Sequence, residues 1–346
     1  MVAALVESLG IRTRAIETAF QAVLRHDFLP ESPLAEVYSG HAIPTRFGPR
    51  GPISSSSEPS IMALMLEQLD VHIGHRVLEI GAGTGYNAAL LAHLAGPQGS
   101  VVTADIDADI TADARRHLAA VGATNVIVVT ADGWAGEPEH GPYDRIEATV
   151  GVWDLSTAWV NQLSPGGRLV VPLWLRNGIE VSIAVEVQES WLESVSIEPC
   201  GFMRLRGHGA GPEVHHEMGD WTASLDDGHS DKVVLLAELL EQIPVLAPAP
   251  LLAPGWFTTI GLADPGAVTL HSLVNGRPQY RSGIIDLETR TLALLEDHCY
   301  PGAEIAAASV QTYGGDTAKL RLLDLIARTP PVPVDRLRVK AFPAGQ

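Results

Sequence analysis

Three glycines spaced two apart, Gly81, Gly83 and Gly85, interrupt the run VLEIGAGTGYNAALLA where an apolar strand gives way to a helical pattern. Glycine lets the backbone approach a bound molecule closely, and the start of a helix offers free amides beside it. Carboxylates stand at related places: Glu79 just ahead of the turn, Asp105 at the end of SVVTAD, and Asp132 in TADGW. Three acids at the carboxyl ends of consecutive strands, next to such a turn, are placed to accept from the hydroxyls and amines of a ligand in the crevice. The turn is not the dinucleotide fingerprint, which requires glycine at position 86, where Tyr86 stands. Upstream, the stretch ISSSSEPS (53–60) sets four serines directly before a helix that Pro59 can open. A helix start favours anions.

These residues need elements to hold them. Apolar residues at Ile16, Phe20, Val23 and Leu24 predict an amphipathic helix over 13–24. Residues 37–56, rich in Gly, Pro and Ser, read as an extended loop, with Ser54 to Ser56 supplying flexible backbone. A helix follows from Glu58 or Pro59, its free amides available to Ser57 or Glu58. Strands are predicted at 76–81, 100–105, 126–131, 144–150 and 168–174, separated by helical segments such as ITADARRHLAAVG with Gly122 as its stop. That cadence implies crossover units, hence an α/β doubly wound, Rossmann-like parallel sheet over roughly residues 57–200. Residues 207–228 read as a linker or long loop. Beyond it a helix at DKVVLLAELLEQI, a Pro-rich joint PVLAPAPLLAPG, a hairpin at SGIIDLETRTLALL and a helix at TAKLRLLDLIAR make an additional C-terminal α+β region. The resulting division is 1–56, an N-terminal helix and substrate-side loop; 57–205, the ligand-binding domain; and 206–346, an extension suited to substrate recognition.

Composition narrows the partners. The chain has 346 residues and a formal charge of −18, the wrong sign for neutralising a phosphate backbone, so nucleic acid is not the expected partner. Two cysteines, Cys200 and Cys299, give neither a disulfide framework nor a zinc spacing. No apolar run is long enough for a membrane span, and the N-terminus lacks the pattern of a signal peptide. The expectation is a soluble, cytoplasmic protein with no membrane partner; its oligomeric state is left open. The group His208, His215, His216 and Glu217 has no second run of ligands and reads as a solvated loop rather than a zinc site, so no metal is expected.

The G-x-G-x-G spacing is the form found in class I methyltransferases that use S-adenosylmethionine. On that resemblance Asp105 would hold the ribose hydroxyls, Asp132 the adenine amino group and Glu79 the cationic amino end of the donor, with Gly81, Gly83 and Gly85 lining it. The ordered set VLRHDFLP, VYSGHAIP, SSSSEPSIMALML, VLEIGAGTGYNAALLA, ADGWAG and QLSPGGRLVVPL, covering roughly residues 20–205, resembles the protein-L-isoaspartate O-methyltransferase family. The resemblance implies methylation of the side-chain carboxylate of an abnormal aspartyl residue in a peptide or protein, the ester then closing to a succinimide. In that family a serine contacts the substrate carboxylate and is followed by a neutral residue and a proline. Alignment on Pro59 places Ser57 at the serine and Glu58 at the neutral position. An ionised carboxylate needs no general base to attack a sulfonium methyl, which agrees with the lack of a catalytic triad in the sequence.

The sequence departs from the family pattern at Glu58, at Gly40, where an acid is expected, and in its length past residue 205. The serine-rich loop and the extension are similar to actinobacterial relatives that methylate one aspartate of a ribosomally made peptide, generating an aspartimide. Both carboxyl-methylating readings therefore stand here, beside a non-catalytic binding module and a small-molecule methyltransferase on the same fold.

Overall fold

A computed structural model of the chain describes all residues except 9, 50, 190, 213, 226–229, 250–254, 275–276, 299–308 and 343–346. The chain divides into two compact units, Met1–Leu173 with Ser182–Gly211 and Arg338–Gln346, and Trp174–Val181 with Pro212–Leu337. Cys299 and the end of the Pro-rich joint lie outside the described residues.

The first unit begins with α1 (Val2–Glu7), α2 (Arg14–Ala22) and the short α3 (Leu34–Val37). Thr13 caps α2 by accepting from the Ile16 amide, and Ile16, Ala19 and Phe20 form its buried stripe. Residues 37–56 are not an open loop. Ile43–Gly48 (β1) and Gly51–Ser56 (β2) pair antiparallel, with Ile43 opposite Ser56 and Arg46 opposite Ser54. Ser54 and Ser56 alternate inward and are buried, so the serine run is a strand rather than flexible backbone. Its buried face is made of hydroxyls, which is why apolar periodicity gave no signal.

Pro59–Leu69 forms α4. Its N-cap is Glu58, whose side chain makes no capping bond, so the expected capping by Ser57 or Glu58 side chains does not occur. There follow β3 (Arg76–Ile80), α5 (Tyr86–Ala95), β4 (Ser100–Asp105), α6 (Ala108–Ala120), β5 (Val126–Thr130), β6 (Tyr143–Ala148), α7 (Thr157–Gln162), β7 (Leu163–Arg176), β8 (Ile179–Val187) and β9 (Leu192–Pro199). The sheet runs Lys340–Ala341, β9, β8, β7, β6, β3, β4, β5. Pairs β6–β7, β3–β6, β3–β4 and β4–β5 are parallel, the doubly wound order expected. Because strand order reverses between β3 and β6, a crevice opens at the carboxyl end of β3. Val77, Leu78, Val101, Val102 and Ile146 are almost fully buried, as parallel strands with covered faces require.

The second unit contains β10 (His215–Met218), β11 (Trp221–Ser224), α8 (Ser230–Leu240), β12 (Val245–Pro248), α9 (Trp256–Ala263), β13 (Ala267–Val274), β14 (Arg277–Asp286), β15 (Thr291–His298), β16 (Ser309–Tyr313) and α10 (Thr317–Arg328). Its seven strands run β10, β11, β13, β14, β15, β16, β12. Neighbouring residues alternate between two cores: Val268, Ile285 and Leu294 pack with Leu235 and Leu236 of α8, whereas Ala267, Ile284 and Ala293 pack with Ile260 of α9 and Leu322 of α10. An α+β region is thus present, and the hairpin expected in SGIIDLETRTLALL is β14–β15. The linker expected at 207–228 is divided instead. Residues 206–208 bond to acids of the first unit, and His215 to Ser224 form a hairpin of the second. The Pro-rich joint begins as β12, tolerated because an edge strand can hold Pro248. Among the described residues no helix is long and apolar enough to cross a membrane.

Candidate active site

The glycine turn sits at the carboxyl end of β3. Gly81, Gly83 and Gly85 all have positive φ (105, 49 and 85°), a backbone that L side chains rarely adopt. A Cβ at Gly81 would come within 2.6 Å of Thr149 Oγ1, whose hydroxyl already donates to the Gly81 carbonyl at 2.8 Å. The Gly81 amide donates to Ala104 O at 2.8 Å, fixing the turn to the end of β4.

Asp105 ends β4 beside this turn and accepts from the Gly83 amide at 3.3 Å and the Asp107 amide at 3.2 Å. Burial raises its pKa against the lowering effect of those amides. One bond to each oxygen leaves lone pairs free for a pair of hydroxyls. Asp132 follows β5 and accepts from Trp134 N at 3.0 Å and from His208, both its amide at 2.8 Å and Nδ1 at 2.6 Å. Burial alone would raise the Asp132 pKa, but the His208 and Trp134 bonds outweigh it and hold it below the ordinary value. His208 is therefore tied to Asp132 while its side chain stays exposed, and Arg206 likewise donates to Asp107 at 2.5 Å. Glycine flanks His208 for a packing reason: a side chain at Gly207 would overlap the Asp132 carboxylate, and one at Gly209 the Trp134 ring. His215, His216 and Glu217 belong to β10, so the four residues do not share one loop.

Glu79 is fully buried. Its carboxylate accepts from Thr103 Oγ1 at 2.5 Å and from Asn87 Nδ2 at 2.8 Å, and the same Asn87 nitrogen donates to Glu147 at 2.7 Å. Burial pushes Glu79 up to about 7 and, helped by the neighbouring Glu79 charge, Glu147 up to about 8. Neither Asn87 nor Glu147 carries a local sequence signal of this role: Glu147 shares its face of β6 with Tyr143 and Arg145, so no apolar alternation marks it as buried.

On the other side of the turn lies the serine hairpin. A Cβ on Gly83 would stand 3.5 Å from the Ser55 carbonyl, so β2 and the turn approach each other directly. What holds β2 there is Arg25, another residue absent from the sequence reading. Its side chain is fully buried, and its guanidinium donates to Val37 O at 2.7 Å, His41 O at 3.1 Å, Ser56 O at 3.3 Å and Ser57 O at 3.0 Å, as well as to Ser56 Oγ. Among the described residues nothing engages the Ser57 hydroxyl, while its carbonyl is tied down. Glu58 is exposed and accepts from the Ser60 hydroxyl. The structure thus brings Ser57, Gly81, Gly83, Gly85 and Asp105 to one end of the sheet; Asp132 follows the next strand, and Glu79 lies beneath the turn.

A parallel sheet of this order, a G-x-G-x-G turn at its switch point and a free-lone-pair acid at the end of the next strand define a class I methyltransferase that takes S-adenosylmethionine, and the donor set fits that molecule. The chain belongs to the protein-L-isoaspartate (D-aspartate) O-methyltransferase family, whose sequence profile matches residues 1–207. It is 42% identical over 162 residues to the protein-L-isoaspartate O-methyltransferase of Thermotoga maritima, covering 46% of this chain and 51% of that one. Against the enzyme of that name from Methanopyrus kandleri it is 37% identical over 205 residues, 59% of this chain and 84% of that one. A solved protein-L-isoaspartate O-methyltransferase shares the fold over 99% of this chain and 96% of that chain, at a TM-score of 0.58 and 24% identity. A Plasmodium falciparum structure described as a putative protein-L-isoaspartate O-methyltransferase in complex with S-adenosyl-L-homocysteine covers 59% of this chain and 96% of its own, at a TM-score of 0.52 and 16% identity.

Proposed function

We propose that the protein methylates the free carboxylate of an isoaspartyl residue in a peptide or protein, with the donor held by Gly81, Gly83, Gly85, Asp105, Asp132 and Glu79 and the acceptor met by Ser57. A carboxylate oxygen attacks the sulfonium methyl carbon, the S–CH3 bond breaks, and S-adenosylhomocysteine leaves with the electron pair. The backbone nitrogen after the ester then attacks its carbonyl carbon, methanol departs, and a succinimide closes. The carboxylate is already ionised near neutral pH, so the protein's work is alignment and exclusion of water.

The observation that carries this reading is the Ser57 segment: its carbonyl is pinned by buried Arg25, its hydroxyl is uncommitted, and its strand abuts the glycine turn. A neutral hydroxyl donor over a buried cation suits an anionic acceptor. A second reading, methylation of one ordinary aspartate in a ribosomally made peptide, draws on Glu58, an exposed acid next to Ser57 where the family pattern is neutral. The C-terminal unit does not by itself favour this second reading, because a solved protein-L-isoaspartate O-methyltransferase shares the fold over nearly the whole chain.

The test is methyl transfer from labelled S-adenosylmethionine to matched peptides containing isoaspartate or aspartate. Turnover of the isoaspartyl peptide alone supports the first reading. Turnover of an aspartyl precursor alone would replace it with the second, and no ester from either, with donor binding verified, would sink both.

A further inference from the structure

Glu79 and Glu147 are directly opposite each other on the parallel strands β3 and β6, and Thr103 is opposite Glu79 on β4. The three side chains therefore share one face of the sheet, closed by Asn87 from the first turn of α5. One Asn87 nitrogen lies within 2.8 Å of the first carboxylate and 2.7 Å of the second, so a single amide bridges two acids that are 0% and 1% exposed. Among the described residues no lysine or arginine bonds to either acid. The other charged group acting on Glu79 is Asp105, also an acid. Two adjacent buried charges of one sign without a counter-ion are not sustainable, so the pair must retain a proton or acquire a cation.

We propose that Glu79 and Glu147 act as one acid, keeping a shared proton in the ligand-free protein and releasing it to solvent when the cationic methyl donor binds at the glycine turn. Glu147 is then a positioning residue: its charge sets the protonation of Glu79. The inference rests on donor binding at that turn. S-adenosylmethionine carries one positive charge more than S-adenosylhomocysteine, so donor binding should eject a proton that product binding does not. Loss of the sulfonium charge in the reaction would let the proton return, weakening the hold on product. Direct and bridged carboxylates titrate together, so the release belongs to the pair rather than to one residue.

Calorimetric titration of the full-length protein with each ligand, at about pH 7.5 in buffers of different ionisation enthalpy, counts the protons exchanged. The expected result is release of roughly half to one proton with S-adenosylmethionine, clearly less with S-adenosylhomocysteine, and collapse of that difference in Glu147→Gln. Equal exchange for both ligands, buffer-independent heats, or a difference unchanged in Glu147→Gln would overturn the proposal while leaving donor binding intact. Failure of the donor to bind would remove the underlying site reading as well. If Glu147→Gln does not fold, infrared difference spectra of the unmutated protein decide. A carboxylic-acid carbonyl band lost on donor binding upholds the pair, and its absence rejects it.

Discussion

At Gly83 the glycine turn lies against Ser55 of the serine hairpin, yet the two neighbouring regions are held by different means. The turn is fixed by backbone: positive φ angles, the Gly81 amide on Ala104, and the Thr149 hydroxyl on its carbonyls. The hairpin is held through side chains, with buried Arg25 reaching four carbonyls on segments up to 32 residues away and Arg46 of β1 pairing with Asp113 of α6 at the surface. A backbone-built region tolerates side-chain loss around it, whereas a region whose buried contacts converge on one guanidinium is most sensitive to loss of that group.

Arg25→Met should have the largest effect. It strands several buried carbonyls and should cost roughly 3 kcal/mol or more of stability by denaturant unfolding, with methyl transfer lost before donor binding. A variant of unaltered stability would show that the hairpin stands without it. Next, Asp105→Ala should weaken S-adenosylmethionine by roughly 10- to 100-fold in a binding titration while the serine hairpin stays folded. Unchanged affinity would remove Asp105 from the site. Ser57→Ala should reduce kcat/KM for the isoaspartyl peptide by about tenfold with donor affinity nearly intact. Equal loss of both would mark Ser57 as structural.

The carboxylate pair offers a smaller effect with a definite sign. Both acids have folded pKa values raised above the ordinary 4.5 by burial. Their contribution is therefore fully present below about pH 4.5, where both states are protonated, and is lost as pH rises toward 7 to 8. Glu147→Gln should consequently gain on the unmutated protein between pH 5 and pH 8, by several degrees in Tm at the upper end. A Tm difference independent of pH would contradict the protonated pair. Smallest of all, His208→Ala removes an exposed partner of Asp132 and should change donor affinity only a few-fold at low salt.

Much of the glycine-turn region could be read without coordinates. Glycine at 81, 83 and 85 reports a backbone conformation directly, and an acid ending an apolar run reports a position at the rim of a parallel sheet. The serine side could not be read this way. A strand whose inward residues are Ser54 and Ser56 has no apolar alternation, and the alternating burial appears only once β1 lies opposite. Arg25, in a polar turn after α2, carries no local sign of the carbonyls it will meet at Val37, His41 and Ser57.

By itself, then, the sequence determined the crossover order, the turn and the acids at its strand ends, because these follow from local conformation and the hydrophobic periods of consecutive segments. Only the tertiary structure decided that Ser57 is pinned through its carbonyl, that His208 belongs to Asp132, and that Glu79 shares its amide with Glu147. Each of those depends on contacts between residues distant in the chain, and at Arg25, Glu79 and Glu147 burial removes water and obliges the polar groups to find partners.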